Sequence, residues 1–295
     1  MSQNLAIKNY IEHIRKKVDL SIKKNLPQGN DRVSRAMRYA VLSGGKRLRP
    51  VLFIIAVKSL GGKLNRGVMK IAPALEFIHT FSLIQDDLPG LDNDDYRRGK
   101  PTVHKLYGED IAILASDSLL NEAYKMLLEE SSIDAGLRVR IACELMQTVK
   151  ILINGQEKDL GLAPRRKVRL SRLNKIYLGK TAALIAVSIK IAGILRKVKT
   201  VELKHLNSFG MKLGLAYQIL DDILNVTADN KEFKGKQFSD QKNEKVTYVS
   251  IAGIQESREI TENLVTEAKN ELAKINGIDK FKLSLLCDVI LKRTY

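Results

Sequence analysis

Tryptophan is absent from the 295 residues, and aromatic side chains of any kind make up only 5%. Cysteine is nearly as scarce: Cys143 and Cys287 lie far apart in apolar-periodic stretches. Two separated thiols exclude a disulfide framework or a zinc cluster and fit a reducing, cytoplasmic compartment. The amino-terminal stretch MSQNLAIKNYIEHIRKK lacks the apolar run of a signal peptide. The longest apolar stretch, TAALIAVSIKIAGIL at 181–195, is short for a bilayer span and contains Lys190. A soluble protein with no transmembrane segment is therefore expected. No repeat, low-complexity tract or linker interrupts the chain, so residues 1–295 are read as one domain.

Acidic side chains are in the minority, 33 against 50 lysines and arginines, for a formal net charge of +17. That surplus attracts something anionic: nucleic acid, a membrane surface or phosphorylated small molecules. A nucleic-acid-binding module is disfavoured, because no recognisable motif is present and stacking aromatics are few. Against this basic background, DDLPGLDNDDYRRGKP at 86–101 holds five aspartates within ten positions, followed at once by Arg97, Arg98 and Lys100.

What the chain has in abundance is helical periodicity. Ile7, Ile11, Ile14 and Val18 share a face of a first helix that stops near Pro27. Asn30 or Asp31 can cap a second, which Gly44-Gly45 breaks, and a third runs from about Pro50 to Gly61-Gly62. A fourth contains IAPALEFIHTFSLIQDD, with Pro73 near its start or kinking it. Further helices are expected at about 109–130, 136–160, 167–195, 200–228, 246–272 and 278–292, with a polar loop at 227–245. Strand patterns are scarce. The expectation is an all-α fold.

A second acidic cluster stands in YQILDDILN at 217–225. On a regular helix Asp221 and Asn225 share a face, with Asp222 about 100° away. Asp86 and Asp92 are six apart, but a two-residue excursion at Pro89-Gly90 would return Asp92 to the place of an i+4 residue. Both clusters can then offer oxygen ligands to one cleft. Magnesium suits such a set, since it takes a few carboxylates, waters and substrate phosphate oxygens. Arg97 and Arg98 supply planar donors for phosphate. Further cations stand in SGGKRLRP (Lys46, Arg47, Arg49), in YLGKT (Lys180) and in the polar loop (Lys236, Lys245). A metal–diphosphate site explains acid and base together.

SGGKRLRP, HTFSLIQDDLPGLDNDDYRRGKPTVH, INGQEKDL, GKT, YQILDDILN and the later KVTY occur in the order seen in trans-prenyltransferases. Over nearly its whole length the sequence resembles the polyprenyl diphosphate synthases, most closely the bacterial farnesyl diphosphate synthase (geranyltranstransferase) group. The resemblance implies a single-domain isoprenoid-synthase-type helical bundle around a deep central cavity, working as a homodimer with three Mg2+ ions. By matching position, Asp86 and Asp92 would ligate two ions with Asp87 supporting, and Asp221 the third, with Asn225 in the second metal set. Arg97, Lys180, Lys236 and Lys245 would hold the allylic diphosphate, and Lys46, Arg49, His79 and Arg98 the isopentenyl diphosphate. Thr181 and Gln218 would flank the allylic C1.

The implied chemistry needs no protein nucleophile, which fits a chain with only four histidines. Phe81 and Ser82, five and four positions before Asp86, occupy places where, in the family the sequence resembles, bulk limits product length, and the aromatic there implies farnesyl diphosphate. A geranylgeranyl diphosphate synthase and a weakly active regulatory subunit of a heteromeric synthase are the alternatives. The second motif ends in Asn225 where aspartate is usual, Gly179 stands where many relatives have histidine, INGQ replaces a glycine pair before glutamine, and Val249 replaces a common proline.

Overall fold

The structure is a computed structural model that describes residues 2–162, 168–227 and 246–291. It is all-α apart from one small hairpin, as the periodicity predicts. The helices are α1 Ser2–Asn25, α2 Arg32–Leu42, α3 Leu48–Ser59 and α4 Arg66–Asp86, followed by α5 Val103–Tyr107, α6 Glu109–Leu128 and α7 Ala135–Leu160. After these come α8 Leu170–Tyr177, a π-helical turn Leu178–Ala182, α9 Ala183–Leu195, α10 Thr200–Thr227, α11 Tyr248–Ala273 and α12 Lys280–Leu291.

Capping fixes several of these starts. The Asp31 side chain accepts from Ser34 N (2.8 Å), Asn65 from Val68 N (2.9 Å) and Asp134 from Leu137 N (3.1 Å). Thr247 and Ser250 form a reciprocal capping box at the head of α11. That helix kinks at Gly253, whose φ of 77° is open to glycine without a Cβ penalty.

Asn65 also explains why α4 starts seven residues before Pro73 rather than at it. Pro73 lies inside the helix and cannot donate to the Met69 carbonyl one turn back. The Ser21 hydroxyl of α1 makes that bond instead (2.5 Å), so the missing donor is replaced from a neighbouring helix.

The core follows from apolarity. In α3, Pro50–Val57 are all buried, and in α9 so are Ala183–Ile189 and Ile191–Ile194, so both helices are apolar all round and sit inside. Each Leu, Ile or Phe buried in this way contributes about 1.5–3 kcal/mol. Around them α4 packs on α6, and α10 packs on α9 and α11. A smaller apolar cluster, with Leu173, Ile176, Ile219 and Tyr248 among its members, joins α8, α10 and α11 beside the site.

Two stretches, Arg66–Asp86 and Leu170–Leu195, are long and apolar enough to cross a membrane by length and composition. The second is longer than the apolar run at 181–195 because α8, the π turn and α9 are continuous. Most of each stretch is buried inside the bundle. The first carries Asp86 and His79 and the second Lys180, so their apolarity serves the core.

Candidate active site

The first acidic cluster hangs from the C-terminus of α4. Asp86 is the last helical residue and Asp87 its cap. The chain then turns through Leu88-Pro89-Gly90-Leu91, and the Asp92 N–H donates to the Asp86 carbonyl (2.9 Å). This is the bond an i+4 residue would make in an uninterrupted helix, now made by i+6. The Pro-Gly excursion thus delivers Asp92 back to Asp86, as the spacing predicts.

Arg97 lies in β1 (Tyr96–Arg97), which pairs antiparallel with β2 (Lys100–Pro101). Between the strands Arg98 and Gly99 have φ of 54° and 72°, the two positive angles of a type I′ turn. Sequence reading missed this hairpin, because the usual Asn-Gly signal is replaced by Arg-Gly. Arg97 forks onto Asp87, with Nε at 2.8 and 2.9 Å from its two oxygens, and reaches Asp94 at 3.6 Å. Burial pushes the Asp87 carboxyl up to about 6, against the opposing pull of the Arg97 charge. Asp95 pairs with Lys105 (2.8 Å). Asp94 and Asp95 therefore hold local cations.

The strained Arg98 is anchored by its own side chain. Its guanidinium donates to the Gly44 carbonyl, and a Cβ on Gly45 would fall 2.7 Å from the guanidinium carbon. Gly45 is thus needed to dock the hairpin onto the SGGKRLRP loop. Lys46 in that loop is exposed, and Arg49 is buried at the start of α3. Arg47, a cation of the same run, serves the fold: buried, it meets Asp19 (2.8 Å), Glu76 (2.9 Å) and the Val41 carbonyl (2.8 Å).

His79 belongs to this basic group. Burial lowers its pKa well below the ordinary histidine value, and the charges of Arg49, Arg98, Arg97 and Arg47 lower it further. The imidazole is therefore neutral at pH 7. Its Nδ1 and the Nε of Arg49 are both buried with no hydrogen-bond partner in the protein. Buried polar atoms seldom stay unpaired, and a buried cationic donor with no protein acceptor suits an anionic ligand.

Across from these, the π turn holds Lys180, whose ammonium meets Asp159 (2.8 Å) and Asp92 (4.0 Å). Burial pulls the Lys180 pKa down, but Asp86, Asp159 and Asp92 together outweigh it and hold the pKa above its ordinary value. The π turn lies tight on α7: a Cβ on Gly155 would stand 2.6 Å from the Lys180 backbone nitrogen. π turns recur at functional sites because one inserted residue re-aims the side chains after it. Gln156, beside Gly155, is buried with neither amide atom partnered.

The second cluster divides by direction. Asp222 is buried and points away, accepting from the Tyr177 hydroxyl (2.7 Å), Tyr248 N (3.1 Å) and the Gln218 amide (3.3 Å). Gln218 in turn accepts from the Thr181 hydroxyl (2.8 Å). Asp221, about 100° round the helix, is half-buried and acts electrostatically on Arg49 across the site. Asn225 is buried one turn further on. The structure thus brings Asp86, Asp92 and Lys180 together, sets Asp87 with Arg97 and Arg98 with the Gly44-Gly45 loop, and links Thr181 to Gln218. Lys236 and Lys245 lie outside the described residues. Sequence reasoning gave Asp159, Tyr177, Asp222 and Tyr248 no role; only the i, i+3 spacing of Gln156 and Asp159 on α7 hinted at a shared face.

Among the described residues no three His, Cys, Asp or Glu side chains come close enough to enclose a metal by themselves. Carboxylates presented singly or in pairs, with cations beside them, fit Mg2+ that completes its octahedron with phosphate oxygens and water.

Comparison with known proteins agrees. The polyprenyl synthetase family profile matches residues 30–280. The chain is 38% identical to dimethylallyltranstransferase of Fischerella ambigua, over 97% of this chain and 84% of that one. It is 34% identical to geranylgeranyl diphosphate synthase of Cyanophora paradoxa, over 99% and 98% of the two chains. With farnesyl diphosphate synthase of Micrococcus luteus the identity is 36%, over 88% and 89%. The crystal structure of an FPP/GFPP synthase from Zymomonas mobilis superposes with a TM-score of 0.84 at 30% identity, covering 98% of this chain and 100% of that one. On profile, relatives and fold together, the chain belongs to the polyprenyl synthetase family and is a prenyltransferase.

Proposed function

We propose that the protein is a farnesyl diphosphate synthase, which joins isopentenyl diphosphate to dimethylallyl or geranyl diphosphate and releases (E,E)-farnesyl diphosphate. The observation that carries the reading is a pair of clusters, one cationic and one that sets a lysine among carboxylates suited to Mg2+. One is Arg49, Arg98 and neutral His79, with Arg49 Nε and His79 Nδ1 unpartnered; the other is Lys180 among Asp86, Asp92 and Asp159. Two substrates, each carrying a diphosphate, need two such clusters. Bound Mg2+, three ions held by Asp86 and Asp92 with Asp87 behind them and by Asp221 with Asn225, supplies the charge that stabilises the leaving diphosphate.

Arg97, Lys180, Lys236 and Lys245 hold the allylic diphosphate as its C–O bond breaks and the electron pair leaves with the diphosphate. Lys46, Arg49, His79 and Arg98 fix isopentenyl diphosphate so that its double bond forms the new C–C bond to the allylic cation. The neutral imidazole can hydrogen-bond the second diphosphate without adding charge. Thr181 and Gln218, linked at 2.8 Å, present oxygens to the cationic carbon. The proton then leaves the isopentenyl C2 for an oxygen of the departed diphosphate. An apolar surround keeps water from the cation.

Relatives of similar identity carry both farnesyl and geranylgeranyl names, so chain length is read from the chain itself. Phe81 is 3% exposed on α4, five residues before Asp86, and Ser82 beside it bonds the His79 carbonyl (2.9 Å). An aromatic floor there supports a fifteen-carbon product. Exposed Ile113 and Leu114 on α6, with Val139, Met146 and Ile153 on α7, support a homodimer.

The test is incubation of the purified protein with Mg2+, isopentenyl diphosphate and geranyl diphosphate, followed by chromatography of the products. A single fifteen-carbon diphosphate is expected, and absence of any new diphosphate refutes the reading. Phe81→Ala should lengthen the product; unchanged length removes Phe81 from its role.

A further inference from the structure

Two diphosphates do not account for a net charge of +17. Several lysines and arginines gather at the end of the bundle remote from the acidic clusters. There α4 begins, and its 21 residues put that end about 30 Å from Asp86. Three basic turns meet on it, at 60–65, 196–199 and 274–279, beside the 129–134 turn that packs on the start of α4. Arg196 Nε donates to the Leu60 carbonyl (3.2 Å), Asp279 N donates to the Ser59 carbonyl (2.9 Å), and His205 meets Glu271 (2.7 Å). These contacts bring the three turns onto one surface.

Lys63, Arg196, Lys197, Lys199 and Lys274 are exposed there, with Lys280 at its edge. The acids among them are already engaged: Glu202 accepts from Lys199 N, Glu271 is held by His205 and Lys274, and Asp279 faces Lys282 at 3.7 Å. At the same end Phe281 is 58% and Val201 63% exposed. A cationic face bearing an exposed aromatic and a branched apolar side chain has the composition of a bilayer-surface contact. Single-stranded nucleic acid calls for several aromatic platforms, and this face has one.

We propose that this end of the bundle docks on an anionic lipid bilayer, with the basic side chains over the headgroups and Phe281 and Val201 entering the interface. Each Lys or Arg near an anionic surface contributes about a fivefold gain in partition, and salt weakens it.

The test is co-sedimentation of the full chain, without substrate, with vesicles of equimolar phosphatidylcholine and phosphatidylglycerol or of phosphatidylcholine alone. Partition onto the anionic vesicles at low salt, and not onto the neutral ones, is expected. The double variant Lys63→Gln, Lys199→Gln should lower it about thirtyfold, and Phe281→Ser about tenfold. Neither variant touches the catalytic site, so prenyl transfer on soluble substrates should continue in both. No sedimentation with anionic vesicles, equal sedimentation with neutral ones, or indifference to these substitutions overturns the proposal. So does RNA binding that is lost with the same substitutions while vesicles bind nothing, which would make the face a nucleic-acid surface.

Discussion

Asp222→Asn separates positioning from ligation in the second acidic cluster. The wild-type carboxylate is buried and accepts from Tyr177, Tyr248 N and Gln218, all at 3.3 Å or less. Hydrogen bonds to a charged group contribute about 1.5–3 kcal/mol each and neutral ones about 0.5–1.5. An asparagine can keep its oxygen toward Tyr177 and Tyr248 N, which converts two charged bonds to neutral ones at a cost of about 2 kcal/mol. Its amide nitrogen then faces Gln218, which must flip to accept from it. The flip turns an NH2 toward Thr181 and reverses the direction of that bond. Unfolding in urea should therefore show a loss of about 2 kcal/mol, while kcat falls more than KM changes. Tyr177→Phe removes one donor, and the two substitutions together should couple by about 1 kcal/mol or more in a double-mutant cycle. Additivity within about 0.5 kcal/mol would show that the two side chains do not interact as the geometry requires.

Ser21→Ala should cost about 1 kcal/mol in urea, because the Met69 carbonyl then loses its donor; in a Pro73→Ala background, where the backbone N–H returns, the cost should nearly vanish. Gly155→Ala forces a methyl to 2.6 Å from Lys180 N and should cost about 1–3 kcal/mol along with a large loss of prenyl transfer. Gly90→Ala, with nothing within 4 Å of the new Cβ, should leave the melting temperature within a degree or so. Asn225→Asp should leave activity unchanged or raise it in a steady-state assay across magnesium concentrations; a clear loss would show that the amide is adapted to its place.

Helices were legible wherever one face carried the periodicity, and their ends where a short polar side chain could cap them. The misreadings share one cause, compensation from far along the chain. Pro73 reads as a start or a kink because nothing nearby announces that Ser21 will satisfy Met69. The span from 167 to 195 reads as one helix because a π turn inserts a residue without any break in composition; the Gly155 contact that accommodates it lies more than twenty positions earlier. The Arg98-Gly99 turn is hidden for a related reason. A left-handed arginine costs about 1 kcal/mol or more, and what offsets that cost is docking against Gly44-Gly45, half a hundred residues away.

The same distinction orders the site. The return of Asp92 to Asp86 was readable because it is local: a helix end, a Pro-Gly excursion, and one backbone bond across six residues. The fates of Arg47 and Asp222 were not. Arg47 sits in a run of loop cations that all look available to phosphate, yet it is held by Asp19 and Glu76, 28 and 29 positions away. Asp222, set off from the face shared by Asp221 and Asn225, takes no ligand role in the sequence, and nothing near it in the chain names its partners. The 100° step around α10 separates it from Asp221, and only the folded chain shows Tyr177 and Tyr248 waiting on that side. A charged residue in such a motif is therefore best assigned by asking which partners its direction can reach. By that criterion Asp221, whose field reaches Arg49, is the residue of the pair that we propose for the chemistry, and Asp222, bonded to two tyrosine residues and Gln218, belongs to the frame beside it.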